Sequence, residues 1–594
     1  MPVSDDTNLN RGAHGDSSFR LGGATSSSEN RGRESSVNAN KFDELITTYD
    51  YLFQKQYRID PFGVKLGSTD EAGNFKSDKV VSPKPILPTA ILDNLDSEIQ
   101  KVEIAWWESN RWKRTVTNRE TLVNNSKITK LADRGVPVGS DNARVLSTYF
   151  NTLLCEFDGK LPRKPARSVM GWCELDDRTL FMPYTDLIQF DGGDEYKAEY
   201  KAIRNKGTLD EWVKRLEPLR VSFEVRLMMA ASFASPLIGL IQENPFVFHL
   251  YGESGSGKTV CMLLAMSIWG DPDQGKLLRS MNTTVNAMME RATFLNSLPF
   301  AGDELQTIKS RWTGTYDSLI MQITEGINRG RMKNNEVQEM KSWKCAFLFT
   351  GEEPCVKATS GGGVVNRCIQ VEIKQAVFDK DGPDSGNKIA NFARNHYGHA
   401  GRAYIERIMA IKAGLAPVDY TVKGLYDSYY SELVKGNTTE KQAGAMALML
   451  TGDRIAHDLF WNGEADTVNH GEEQLTAELV TEYLATRSQV DVAKRAYTYL
   501  CGVIAENSYN FTEGSRVVWG KFDNGEKPKQ VDFVRTVLER VLTDAGFDFD
   551  AIKKKWVKNG YVVFRESARS YIYTTRICGV PTQCVRINLP NTEE

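Results

Sequence analysis

The chain has 594 residues, 41% of them hydrophobic and 25% charged, with a net charge of −3. That length exceeds what one core organises and points to three or four domains, while the near-neutral balance excludes a global basic field, so any nucleic-acid contact has to be local. No apolar run reaches the roughly 18 residues that a bilayer span needs, the N-terminus shows no signal core, and nine cysteines without a CxxC pair read as the reduced thiols of a cytoplasmic protein.

The expected fold class is multidomain α/β. Residues 1–40 are dominated by Ser, Asn, Gly, Asp and Arg, a composition that cannot form a core and predicts a disordered leader, either simply solvated or a docking tail. Residues 41–215 predict an α+β domain, with short β-type runs such as 102–107 and a helix over 142–155. Within it, Trp106, Trp107, Trp112, Lys113 and Arg114 mix aromatic and basic groups. Such a cluster serves either as core aromatics of a strand pair, the commoner use, or as a stacking surface for single strands. Residues 216–375 predict a nucleotide-binding domain with a helical lead-in over 221–242, and residues 376–510 read as mostly helical, for example over 443–461 and 474–504. His396 and His399 form an HxxH pair with no third ligand nearby and read as helix surface rather than a metal site.

The C-terminal part, residues 511–594, predicts a winged helix. An amphipathic helix spans 531–545 and ends at Gly546; a second helix near 550–559 carries Lys553, Lys554, Lys555 and Lys558. Strands over 561–564 and 571–577 follow, joined by a loop with Arg565 and Arg569. The order helix, turn, basic helix, hairpin places these bases where such a module meets DNA phosphates, although the same lysines are also what a solvated helix face looks like.

The run Gly252-Glu253-Ser254-Gly255-Ser256-Gly257-Lys258-Thr259 follows the apolar stretch 245–251 and precedes a helical pattern over 260–269. A strand, a Gly-rich turn and a helix together form the setting of a phosphate-binding loop, in which backbone N–H groups cradle a polyphosphate at a helix N-terminus. Lys258 is expected on the β- and γ-phosphates of ATP and Thr259 on Mg²⁺. Hydrolysis also needs a carboxylate for the metal and a base for water. Asp303 and Glu304 supply these 45 positions beyond Lys258, room for a helix, a strand and a helix, although Pro299 and Gly302 weaken the strand before them.

A further strand over 344–349 ends at Thr350-Gly351-Glu352, where Thr350 can position the attacking water. Gly361-Gly362-Gly363-Val364-Val365-Asn366-Arg367 then leads into a strand over 368–373, and Arg367 reads either as an arginine finger for a neighbouring subunit's γ-phosphate or as a plain ion-pair arginine. Between the acid pair and Thr350, residues 325–335 alternate basic and small groups around a turn-rich tip. Arg329, Arg331 and Lys333 could grip a DNA backbone from a pore hairpin, or decorate an exposed turn.

Together, residues 252–259, Asp303-Glu304, the Gly330-Arg331 hairpin, Thr350-Gly351-Glu352 and Asn366-Arg367 resemble an AAA+ ATPase module with a hairpin before its first sensor. The chain is similar more closely to the family, long described as a domain of unknown function, that includes replicative helicases of staphylococcal pathogenicity islands and methicillin-resistance cassettes. Residues 126–131 with Gly135, and Gly171-Trp172, match its N-terminal part. The resemblance implies an MCM-like hexamer of a phage or mobile element that translocates on DNA. It places Lys258, Thr259, Asp303, Glu304, Thr350 and Arg367 at ATPase positions and Arg331 with Lys333 on the hairpin. Gly302 departs from the bulky strand residue usual there, neither Arg402 nor Arg454 is singled out as a second sensor, and no primase motif precedes the ATPase, so priming is expected from another protein. The resulting expectation is an ATP-dependent DNA helicase; a nucleotide-switched DNA-binding regulator without unwinding activity is the alternative.

Overall fold

In a computed structural model the protein is described over residues 42–310, 314–328, 332–333, 336–337, 341–357, 360–461, 475–512, 514–523, 528–566 and 569–590. The predicted leader lies outside these residues. The chain divides into two compact units, Met1–Ala166 and Arg167–Glu594.

In the first unit, β1 (Tyr57–Asp60), β2 (Gly63–Thr69) and β3 (Phe75–Ser82) form an antiparallel meander. A second sheet is built on β4 (Ile86–Asn94), whose residues 86–92 are all buried. Antiparallel β5 (Gln100–Glu108) and β6 (Arg111–Asn118) extend it on one side and parallel β7 (Arg163–Arg167) on the other. Helix α1 (Ala143–Glu156) buries Leu146, Phe150 and Leu153 at helical spacing, the pattern that fixes which face turns to a core. The tryptophan cluster is strand-pair packing. Trp106 is 2% exposed, and Trp107 pairs across strands with Trp112 while Phe42 lies 5.1 and 5.5 Å from their rings. Its bases face acids: Lys113 donates to Glu108, and Arg114 to Glu103 at 2.6 Å.

The second unit is organised by α2 (Phe223–Ile241) and a parallel sheet. In chain order follow β8 (Val247–Gly252), α3 (Lys258–Ser267), β9 (Leu278–Ser280), α4 (Val285–Leu295), β10 (Phe300–Asp303), α5 (Tyr316–Thr324), the paired β11 (Met332–Lys333) and β12 (Glu336–Val337), β13 (Phe347–Gly351), α6 (Gly362–Val365) and β14 (Cys368–Ile373). The strands lie side by side as β9-β10-β13-β8-β14, and every neighbouring pair is parallel. A helix, a strand and a helix do separate the Gly-rich loop from Asp303. Helices α7 (Gly386–Ala393), α8 (His399–Lys412), α9 (Val422–Lys435) and α10 (Glu440–Phe460) come next. Helix α2 is long and apolar enough to cross a membrane, contrary to the reading that no run is, but 78% of the qualifying window is buried inside the protein; it packs against α10.

Arg220 and Arg226 both close on Asp453 of α10, at 2.8 and 2.9 Å, with all three side chains at most 6% exposed. Burial pushes the Asp453 carboxyl up, but the two guanidiniums outweigh it and hold the pKa below the ordinary value. His249, wholly buried in β8, bonds through Nε2 to the Glu353 carbonyl at 3.0 Å, and burial drives its pKa down to about 4.

The C-terminal region begins with α11 (Arg487–Val490) and α12 (Val492–Glu506), so the helix read over 474–504 is interrupted in its first half and continuous only from Val492. Then come β15 (Gly520–Phe522), β16 (Gln530–Val534), α13 (Arg535–Asp544), α14 (Phe549–Lys558), β17 (Ile572–Ile577) and β18 (Val580–Asn588), with sheet order β15-β16-β18-β17. Two sequence readings are corrected here. Residues 531–534 are strand, because Val531 and Phe533 bury one face of a ladder with β18, and the helix starts at Arg535. The hairpin is β17 with β18, whereas residues 561–564 contribute a bridge between Val562 and Ile587.

Two outcomes follow from these buried charges. Asp453→Ala leaves two guanidiniums buried without their anion and is expected to lower stability by about 3–5 kcal/mol, read by denaturant unfolding; an unchanged midpoint would contradict the account. His249 takes up its proton more readily unfolded (near 6.5) than folded (about 4), so stability is complete above pH 6.5 and falls as pH drops toward 4. His249→Gln is expected to flatten that slope in unfolding measured across the same range.

Candidate functional site

The C-terminal ends of β8, β10 and β13 converge, and ligands of open α/β sheets bind in the crevice outside such ends. Beyond β8 the chain turns through residues 252–257 into α3. Gly257 adopts φ 104°, and a Cβ there would lie 2.9 Å from the Phe378 ring, so both conformation and space require glycine. Helix α3 therefore starts at Lys258 with its first amides facing the crevice, the arrangement that receives phosphate. The Lys258 ammonium donates to the carbonyls of Gly252 (2.8 Å) and Glu253 (2.6 Å). Burial lowers its pKa, and the negative charges of Glu352, Asp303 and Glu304 oppose that shift.

Asp303 closes β10 and is 7% exposed. Thr259 donates its hydroxyl to both carboxylate oxygens, at 3.3 and 3.2 Å, and the Thr350 hydroxyl donates to Oδ1. Thr350, at 1% exposure on β13, also accepts the Glu304 amide at 3.2 Å. Glu304 itself is exposed, with φ 58°. A non-glycine residue held in the left-handed region costs of order 1 kcal/mol and is concentrated at functional sites. The Gly302 departure has a steric cause: a Cβ there would meet Met281 Sδ at 2.4 Å and Phe349 Cδ1 at 2.9 Å, so neighbouring side chains fill the space a bulky residue would occupy.

These groups line a cavity of about 370 Å³ that includes Ser254, Gly255, Gly257, Lys258, Thr259, Asp303, Glu304 and Thr350. Sequence reasoning missed its far wall, which Ala376, Phe378, Asp379, Lys380, Gly386 and Asn387 supply. That segment joins the loop through the Val377 amide, which donates to the Ser256 carbonyl at 3.0 Å. No motif announces it; the one local signal is Gly257, whose missing side chain makes room for Phe378. For a divalent cation, Asp303 and Thr259 offer hard oxygen donors. A buried carboxylate held by neutral hydroxyls suits Mg²⁺, which takes few protein ligands and fills its shell with water and phosphate oxygens.

Arg367 is not part of this cavity's wall. Val247 pairs with Cys368 and Gly252 with Ile373, so Arg367 sits at the opposite rim of the sheet, about 17 Å from the glycine loop at the rise of a strand. Its Nη1 donates to the Gly363 carbonyl at 2.9 Å. Arg329 and Arg331 lie outside the described residues. Lys333 lies in β11, whose backbone pairs antiparallel with β12.

In the C-terminal region Lys553 pairs with Asp550 and lies over the Tyr571 ring, and Lys555 pairs with Asp491 at 2.9 Å. Lys554 and Lys558 are exposed on α14, and Arg569 is exposed on the turn before β17. His396 stacks on Phe392 and sits 3.3 Å from Glu211, while His399 donates Nε2–H to the Gly207 carbonyl, 2.9 Å away. The two histidines thus have separate partners.

The sequence matches no curated protein. Residues 57–342 match a family model described as a domain of unknown function (DUF927), and residues 491–592 match the Cch helix turn helix domain. Among solved structures, the chain is similar to one titled "SCCmec type IV Cch - active helicase", at 17% identity and a TM-score of 0.66, over 90% of this chain and 97% of that one. A C-terminal region titled as that of NrS-1 aligns at 10% identity over 84% of this chain and 96% of that one, with a TM-score of 0.26, too low to carry an argument. The protein is therefore a mixed α/β multidomain chain with the fold of the Cch structure and a C-terminal helix-turn-helix domain.

Proposed function

We propose that this protein is an ATP-dependent DNA helicase whose second unit contains an AAA+ ATPase core, acting as a ring, with six subunits the best reading, in the replication of a phage or other mobile element. The observation that carries it is the placement of Asp303, held by Thr259 beneath the glycine loop and by Thr350 at the next strand end. A buried carboxylate so placed supports a hydrolytic site over a mere phosphate cradle. The fold likeness to a structure titled an active helicase and the helix-turn-helix match support the DNA part of the reading.

In this reading the α3 N-terminus and the amides of residues 253–258 receive the ATP phosphates. Lys258 exchanges its two loop carbonyls for the β- and γ-phosphate oxygens. Asp303 and Thr259 hold Mg²⁺, which when bound neutralises charge on the phosphates. Glu304 orients and deprotonates the attacking water, and Thr350 fixes the acid pair and the water's approach. Arg367, at the far rim, serves the site of a neighbouring subunit, where it stabilises charge on the transferred phosphoryl group. Residues 329–333 and the outward bases Lys554 and Arg569, with Lys553 and Lys555 beside them, meet DNA. The working division is 1–40 leader, 41–215 N-terminal domain, 216–375 ATPase core, 376–510 helical region and 511–594 winged helix, with priming supplied by a separate protein.

The test is steady-state ATP hydrolysis with and without single-stranded DNA, beside unwinding of a forked duplex, on wild type and Glu304→Gln. DNA-stimulated turnover with strand separation is expected for wild type. The variant should lose about 10²- to 10⁴-fold in turnover, the range of a general base, together with all unwinding, while still binding ATP. Hydrolysis that is slow, unstimulated and accompanied by ATP-dependent DNA binding without unwinding would instead establish a nucleotide-switched regulator.

A further inference from the structure

Arg367 leads into β14 after three consecutive glycines, of which Gly362 and Gly363 open the one-turn helix α6, a stretch with little conformational preference of its own. Its main chain is held by β8, through the Val247 amide on the Arg367 carbonyl at 2.9 Å, while the glycines before it are held from outside the sheet. Asp317, in the first turn of α5, accepts the Ser360 hydroxyl at 2.7 Å and the Gly361 amide at 3.1 Å. Arg495, in the first turn of α12, donates Nη1 to the Ser360 carbonyl at 2.6 Å. Gly362 then passes under α11 so closely that a Cβ would lie 2.4 Å from the Val490 carbonyl oxygen. Helix α12 is in turn fixed by α14 of the helix-turn-helix domain. Trp556 of α14, fully buried, donates Nε1 to the Ala493 carbonyl at 2.7 Å, and Lys555 pairs with Asp491, whose carboxylate caps α12 through the Ala493 and Lys494 amides.

We propose that Arg495 is a positioning residue for Arg367: it ties the helix-turn-helix domain to the glycine loop, so that the seating of this domain sets how Arg367 reaches the neighbouring subunit's phosphates. The inference rests on the reading of Arg367 as the arginine acting between subunits. The far end of the segment is held separately, by Gln442 Nε2 on the Val365 and Cys368 carbonyls at 2.5 and 2.9 Å, so the bond from Arg495 acts on the glycine end, to which the Arg367 guanidinium is tied through the Gly363 carbonyl. Removing it leaves the glycines with Asp317 and the close passage under Val490, and the guanidinium of Arg367, bonded to the Gly363 carbonyl, shifts with them away from the position that serves the next site. Since α14 reaches α12 through Trp556 and Lys555, the same path gives a DNA-bound helix-turn-helix domain a mechanical route to the ATPase cycle.

The test uses the full chain and its DNA-stimulated ATP hydrolysis. Arg495→Ala is expected to lower kcat by about 10- to 100-fold, the span that one lost charge-assisted hydrogen bond corresponds to, with KM for ATP unchanged; Arg495→Lys, which retains a donor, should restore most of it. Arg367→Ala should lower kcat by about 10³-fold or more, and adding Arg495→Ala to it should cost nothing further, because a residue acting through Arg367 has no effect once Arg367 is gone. Mixing Arg495→Ala protein with Lys258→Ala protein should raise hydrolysis above either alone, since the second supplies a correctly held Arg367 to the intact phosphate loop of the first. Gly362→Ala, which displaces the loop at Val490 with Arg495 in place, should reproduce the kcat loss and carries the test if Arg495→Ala does not fold. Additive losses in the double variant, or Arg495→Ala at wild-type kcat while Arg367→Ala is impaired, would overturn the inference alone. An Arg367→Ala protein at wild-type kcat would sink the intersubunit reading and the inference with it.

Discussion

The second unit depends on one buried carboxylate. Asp303 ends β10 with its side chain nearly out of water, and its hydrogen-bond donors are hydroxyls from two other elements, Thr259 on α3 and Thr350 on β13. A carboxylate so placed needs hydrogen-bond donors, because burying an unpaired charge is costly. Satisfying it fixes the spacing between the helix that follows the glycine loop and the strand end next to it. The Glu304 amide closes the set on Thr350, so the exposed acid beside Asp303 takes its direction from the same hydroxyl. Neutral donors do not cancel the charge, and the negative field remains directed at the cavity, where it also counteracts the burial-driven lowering of the Lys258 pKa.

What was legible in the sequence was what is encoded locally. The glycine loop needs residues of particular type at adjacent positions, and Gly257 shows why: its φ and the Phe378 ring both reject a side chain. Asp303 and Glu304 were found from distance along the chain, and β10 forms despite Pro299 and Gly302 because its neighbours β9 and β13 complete it and Met281 and Phe349 fill the glycine's space. The cavity's far wall was not legible, because Phe378 is brought to the loop by the sheet and by one amide from Val377, and neither leaves a mark in the residues around it.

The C-terminal errors have the same origin. Residues 531–542 carry apolar groups at positions that fit a helical face, and from the sequence alone a helix accounts for all of them. In the fold, Val531 and Phe533 alternate with Asp532, which Arg586 and Tyr573 hold at the other side of the ladder. The period is two there and becomes helical only at Arg535. Strand β18 hides its own alternation because Gln583 and Arg586 interrupt the apolar run, so the hairpin was placed one strand too early.

The lysines of α14 divide into two kinds once their partners are seen. Lys555 neutralises Asp491 at the start of α12, and Lys553 is taken up by Asp550 and the Tyr571 ring, while Lys554 and Lys558 face outward. Exposed ion pairs of this type contribute little to stability, and what they contribute instead is orientation: the helix that presents two bases to solvent is held by a third to the helix that carries Arg495. Lys554 and Lys558 lie within a helical turn of Lys555 on the same helix. The link between α14 and α12 therefore has a buried part, Trp556 on the Ala493 carbonyl, and an exposed part, Lys555 on Asp491.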